Sequence, residues 1–140
     1  WVFGGKTMNR NKFPDIKKAN SLVDSAIEDI KYTLTLEINE KSSNTIVRNI
    51  YECFRMLGEA LLAKKGIESK DHKAPINELI SLKITTPRPL NLLDNLRRLR
   101  RNVNYYGYKS TKEDAKHAVD FTKECFHILS EEVKKIINKY

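Results

Sequence analysis

The chain has 140 residues, enough for one domain with a substantial core, and carries a formal charge of +8 from 26 Lys and Arg against 18 Asp and Glu. No run approaches the ~18 apolar residues that a membrane span requires, and the opening WVFGGKT before Met8 lacks the long apolar core of a signal peptide. Residues 1–8 read as a tag-like or disordered arm, residues 9–140 as the domain, and the expected setting is the cytoplasm, with polyanions favoured as partners by the charge excess.

Ile16, Ala19, Val23, Ala26, Ile27, Ile30 and Leu34 recur at spacings of three and four and predict a first helix, with Pro14 suited to its first turn. The polar run NEKSSN, Asn39 to Asn44, ends that pattern. A second helix is expected from about Asn44 to Lys65. Its stripe is Ile46, Ile50, Cys53, Phe54, Leu57 and Leu61, widened by Val47, Tyr51 and Leu62. So broad an apolar arc places a helix centrally among its neighbours. Gly66 stands where a C-terminal cap is expected, with Lys64 and Lys65 at the negative helix end.

Ile76, Leu79 and Ile80, with Pro75 near the first turn, predict a short third helix. TTPRP, Thr85 to Pro89, is expected to be extended, because each proline disfavours helix at the residue before it. Leu92, Leu93, Leu96, Leu99 and Val103 carry a fourth helix, and Gly107 punctuates the chain after it. Ser110-Thr111-Lys112-Glu113 reads as a capping box that opens a long fifth helix, with its stripe running from Ala115 through Cys125 and Leu129 to Ile136. No strand-like alternation, repeat or low-complexity tract interrupts the pattern. The expected fold is all-α: an antiparallel bundle of four long helices plus one short helix, since short polar connections favour antiparallel neighbours. Cys53 and Cys125 fall on apolar faces and read as buried, reduced thiols rather than a disulfide pair.

The chemistry is concentrated in RRLRRNVNYYGY, Arg97 to Tyr108. With Leu96, Leu99 and Val103 turned inward, Arg97, Arg98, Arg100 and Arg101 spread over roughly 160° of the opposite side of the helix. The local acid is Asp94, four residues before Arg98. The strip therefore reads as short of partners and open to anions. The plainer alternative is a solvated face, or pairing with Glu28, Asp29, Glu37 or Glu40. Tyr105, Tyr106 and Tyr108 follow at once, adding rings that stack on bases and hydroxyls that bond phosphate.

Other chemistries find little footing. The five glycines are scattered, so no phosphate-cradling loop forms. Cys53 and Cys125 make no CxxC pair, and His117 and His127 lie ten residues apart with no acid or cysteine read at ligand spacing, so neither metal nor cofactor is expected. His72 reads as a capping or packing residue at the start of the third helix, and Tyr32, Tyr51 and Tyr140 as packing or surface residues.

The stretch NIYECFRMLGEALLAKKGIESKDHKAPINELISL, Asn49 to Leu82, together with the arginine-rich fourth helix, resembles the HEPN family of small helical bundles. Ribonuclease members of that family carry an arginine, often followed by asparagine, and a histidine four to six residues on. One subgroup extends this to Arg-x4-His-x-Tyr. Here Arg101 to Tyr108 reads Arg-x4-Tyr-x-Tyr: Arg101, Asn102 and Tyr108 match, and Tyr106 takes the histidine's place. In a second register, Arg100-x3-Asn104-Tyr105 resembles members that end in Arg-x3-Asp-Tyr. The resemblance covers most of residues 9–140 as architecture. It implies a two-fold homodimer with motif helices facing across a cleft. It also implies, as in many family pairs, a minimal nucleotidyltransferase partner, with Tyr108 matching the tyrosine that such enzymes adenylylate.

Tyrosine in the histidine's place sets the expected activity. Metal-independent RNA cleavage needs proton exchange near neutrality, which a histidine with pKa near 6.5 supplies. A free tyrosine, with pKa near 10, is ionised in only about one molecule in a thousand at pH 7. The expectation is thus an RNA- or nucleotide-binding module with a degenerate ribonuclease motif, acting in a toxin–antitoxin-type pair. It would present Arg97, Arg98, Arg100, Arg101, Asn102, Tyr105 and Tyr108. The alternatives are a metal-independent ribonuclease using Arg101 and Tyr106, and a non-catalytic dimeric scaffold.

Overall fold

The computed structural model describes residues 9–11, 13–71 and 73–139. The expectations for residues 1–8, His72 and Tyr140 lie outside the described residues. In chain order the elements are β1 (Asn9–Asn11), α1 (Ile16–Thr33), α2 (Ser43–Lys64), β2 (Ile67–Ser69), α3 (Lys73–Ile80), α4 (Leu92–Tyr105) and α5 (Lys112–Ile137). The chain is all-α in class, and the five expected helices fall where their apolar spacing puts them. None of the described helices is long and apolar enough to cross a membrane.

α2 holds the centre, as its wide apolar arc requires: it packs against α1, α3, α4 and α5. Ile46, Ile50, Phe54 and Leu57 are fully buried along it, and Phe54 meets Phe121 and Phe126 of α5 at ring-centroid distances of 5.5 and 5.3 Å. The Phe126 contact is edge-on, a favoured arrangement for aromatic quadrupoles. Gly58 lets α3 approach closely, because a side chain there would run into the backbone of Pro75. Past Lys65, Gly66 takes a left-handed φ of 73°, which ends α2 as a glycine at that place does. Cys53 and Cys125 are free and buried, and burial pushes the Cys53 thiol up to about 12.

Two expectations are corrected. β1 and β2 pair antiparallel, Asn9 opposite Ser69 and Asn11 opposite Ile67; strands of three residues are too short to show alternation in a sequence. The capping box of α5 sits one residue later than read. The Thr111 hydroxyl accepts from the Asp114 N–H at 3.0 Å, and the Asp114 carboxylate accepts from the Thr111 N–H at 3.0 Å. Ser110 is instead buried, with its N–H donated to Asn44 Oδ1 at 2.6 Å, which anchors the α5 entrance to the start of α2.

α4 is the most lightly embedded of the long helices. Among its described residues only Leu93 and Leu96 are buried, and it leans on α2 and α3. That placement leaves its arginines and its C-terminal end near the surface.

Candidate functional site

Asp94 lies in the first turn of α4, where the helix dipole favours a carboxylate. It is bonded twice: Arg97 Nε donates at 3.0 Å and Arg98 Nη2 at 2.8 Å. The bond from Arg97, reinforced by Arg98, holds the Asp94 carboxyl below the usual carboxylate range, against the opposing effect of burial. Arg97 keeps only 12% of its side chain exposed, whereas Arg98 keeps 66%.

Arg100 is committed to the neighbouring helix. Its Nη2 lies 3.5 Å from Glu52 Oε1 of α2, and its guanidinium carbon sits 5.7 Å from the Tyr51 ring centroid. The Asn104 amide is assigned with its oxygen toward Arg100, the orientation in which it accepts from the same guanidinium rather than opposing donor to donor. Glu52 also holds Arg55, which reaches on to Glu59 at 2.5 Å, so the flank of α2 carries a continuous run of paired charges. The expectation of an arginine strip short of partners is therefore corrected for three of its four members. The reason is geometric. Arg97 and Arg100 stand three residues apart on the side of α4 that lies across α2, and their stems cover that contact. The acids that engage them are Asp94 and Glu52; no ion pair to Glu28, Asp29, Glu37 or Glu40 forms among the described residues.

Arg101 is different. It and Asn102 are exposed, and neither side chain has a hydrogen-bond or ion-pair partner among the described residues. The chain then folds back on itself: the N–H groups of Tyr106 and Tyr108 both donate to the Asn102 carbonyl at 3.1 Å, and Gly107 supplies the left-handed φ of 67° that this turn needs. Tyr106 is left 70% exposed. Tyr108 is partly exposed, with its hydroxyl donating to Asp114 Oδ2 at 2.9 Å; this bond raises its pKa above the ordinary phenol value. Tyr105 closes α4, and its side chain lies outside the described residues. Lys109 on the same connection and Lys112 at the start of α5, not singled out in the sequence, are both exposed. Their signal was present only as two more basic residues beside the tyrosines.

The structure thus brings together Arg101, Asn102, Tyr106 and Tyr108 at the C-terminal end of α4, leaves Arg98 exposed at mid-helix beside Asp94, and withdraws Arg97 and Arg100 into the α2 contact. No described base lies in hydrogen-bond contact with the Tyr106 hydroxyl. His127 does have an acid at helical spacing, Glu131 Oε1 at 3.3 Å, which corrects the reading that it had none; both groups are exposed. No group of three or more His, Cys, Asp or Glu able to hold a metal occurs among the described residues.

Along the first half of α4 lies a feature the sequence did not announce. A groove of about 480 Å³ opens between α4 and α5. Leu92, Leu96, Leu99, Ala118 and Phe121 form its floor, and Arg88, Asn95, Asp114 and His117 its polar edge. α4 is held by α2 and α3 rather than pressed onto α5, so the apolar edge of α4 that faces α5 is incompletely covered.

Residues 44–140 match a family described as a domain of unknown function, DUF4145. No curated protein and no solved structure matches the chain significantly. The family match runs from the first turn of α2 through the whole of α5 and so includes α4, its exposed end and the groove. It covers more than half of the sequence, and the chain belongs to the DUF4145 family.

Proposed function

We propose that this protein is an HEPN-like antiparallel bundle of four long helices and one short helix that binds single-stranded RNA at the C-terminal end of α4 without cleaving it. The observation that carries this reading is Arg101: an exposed guanidinium with no partner among the described residues, next to exposed Asn102 and Tyr106, in a chain of charge +8. Unpaired arginine beside an exposed aromatic ring supplies the two elements that sequence-tolerant single-strand binding uses, phosphate neutralisation and base stacking. Arg98, Lys109 and Lys112 extend the positive surface on either side. In the same reading the protein is a cytoplasmic homodimer that works beside a minimal nucleotidyltransferase in a toxin–antitoxin-type pair. Such an enzyme would have to draw Tyr108 off Asp114 before modifying it.

The ribonuclease alternative ranks lower because Tyr106 is solvent-facing and has no described base against it. The test is titration of a labelled single-stranded RNA over a salt series in EDTA, with cleavage followed in parallel. Intact RNA is expected, together with binding that weakens steeply with salt. Arg101→Ala should lower affinity and reduce the salt slope by about 0.7. Absence of binding at low salt would sink the proposal, and cleavage lost in both Arg101→Ala and Tyr106→Phe would install the enzyme in its place.

A further inference from the structure

We infer that the groove between α4 and α5 is a nucleobase subsite, receiving an unstacked base from the strand whose phosphates lie on the exposed end of α4. This inference rests on the RNA-binding reading above. The groove's volume of about 480 Å³ lies within the range of small-molecule sites. Its floor of three leucines, Ala118 and Phe121 suits the apolar face of a heterocycle.

The edge decides what kind of molecule fits. Arg88 is engaged by Glu124 through two bonds of 3.0 and 3.2 Å. Asp114 is engaged by the Tyr108 hydroxyl and the Thr111 N–H. Asn95 and His117 remain, exposed and with no partner among the described residues. The unengaged polar groups are thus an amide, which both donates and accepts, and an imidazole ring. Among the described residues no unpaired arginine or lysine lines the groove to hold a carboxylate or phosphate inside it. An uncharged planar ring with donors and acceptors on its edge matches this set, as an asparagine amide matches a base edge in nucleic-acid readout.

Continuity with the basic end supplies the rest. Asn95, Arg98 and Asn102 follow one another along α4 at spacings of three and four, which keeps them on one edge of the helix at rises of about 4.5 and 6 Å. A base seated at Asn95 leaves its own phosphate beside Arg98 and the next one near Arg101. The strand is read as one base held in an apolar slot and a backbone held by guanidinium groups.

The test compares a short single-stranded RNA with an abasic ribose-phosphate oligomer of equal length, using the full chain. RNA is expected to bind about tenfold more tightly or better, the scale of one base's stacking. Asn95→Ala, and Ala118→Met which fills the floor, should each erase most of that difference and leave abasic binding unchanged. Arg101→Ala should weaken both oligomers by the same factor. Asn95 is exposed, so its variant decides alone if Ala118→Met perturbs folding. Equal affinities for the two oligomers, or a full RNA preference retained in Asn95→Ala, would overturn the base subsite and leave the reading of the α4 end standing. Failure of both oligomers to bind at low salt would overturn the two together.

Discussion

Arg97 and Arg98 end on one carboxylate, that of Asp94, at 3.0 and 2.8 Å. One acid therefore sets how much positive charge the start of α4 offers to solvent. Asp94→Asn should free Arg98, the exposed one of the two, and tighten RNA binding a few-fold at low salt, with a salt slope steeper by about 0.7 as it gains a phosphate. The stability cost is small, about 0.5–1 kcal/mol, since the Arg98 bond is exposed and the Arg97 bond only partly buried. The folded-state pKa of Asp94 is depressed, chiefly by the bond from Arg97. Its stabilising contribution is therefore complete above the ordinary carboxylate value near 4 and lost as pH falls through the lower folded value. Acid denaturation of wild type and Asp94→Asn should converge below that range; an unchanged gap at low pH would count against it.

The Gly58 position tests how closely α2 and α3 are packed. A Cβ there would lie 2.8 Å from the Pro75 Cα and nearer still to its carbonyl, and backbone cannot swing aside as a side chain can. Alanine gains up to about 1 kcal/mol of helix propensity over glycine, so an exposed helical site would be stabilised by Gly→Ala. Here the overpacking, about 1–3 kcal/mol, outweighs that gain. Gly58→Ala should lower the melting temperature, and a rise would show that α3 can move off α2 freely.

How far the sequence could be read is clearest from individual residues. The helices were legible because Ile46, Ile50, Phe54 and Leu57 repeat at the period of one buried face, and burial follows that period. Gly66 was legible because only glycine readily takes the left-handed turn found there. Ser110 was misread as the N-cap because Ser and Thr are equivalent in pattern. The choice of Thr111 depends on Asn44, distant in the chain, claiming the Ser110 N–H. The destination of the arginines was hidden for the same reason. Periodicity places Arg97 and Arg100 off the leucine face, but only the crossing of α4 over α2 sets Arg100 against Tyr51 and Glu52. The groove is a space between two helices that lean apart, and a gap leaves no residue pattern of its own.

Both thiols should be chemically quiet in the native protein. Burial first, then the nearby charges of Asp29 and Glu52, pushes Cys53 up to about 12, and burial likewise raises Cys125. Thiolate is the reactive form, so a thiol reagent at pH 8 should label neither residue on the time scale that labels an exposed cysteine. In denaturant both should react. Because the folded values are raised, these thiols stabilise the fold fully below the ordinary thiol pKa, and that contribution fades as pH climbs through the higher folded values. Rapid labelling of Cys125 under native conditions would mean that α5 opens locally.

Asp114 links the cap of α5 to the end of α4, since its carboxylate accepts from both the Thr111 N–H and the Tyr108 hydroxyl. The two roles can be separated. Asp114→Ala removes half of the capping box as well as the tyrosine's acceptor and should cost about 0.5–2 kcal/mol, the scale of a lost cap. Tyr108→Phe keeps the cap and should leave the thermal midpoint nearly unchanged. The bond to Asp114, and after it desolvation and the carboxylate's charge, raises the Tyr108 pKa. The bond is then complete below the ordinary phenol value near 10 and is lost as pH rises through the higher folded value. A phenolate titration by ultraviolet absorbance should show two late-ionising tyrosines, Tyr51 raised chiefly by burial and Tyr108 by its bond to Asp114; Tyr108→Phe deletes one of them and Asp114→Asn shifts that same one back toward the ordinary value. Should Asp114→Asn leave that titration unmoved, the carboxylate is not what holds Tyr108, and the turn after α4 must be fixed by the Asn102 carbonyl and Gly107 alone.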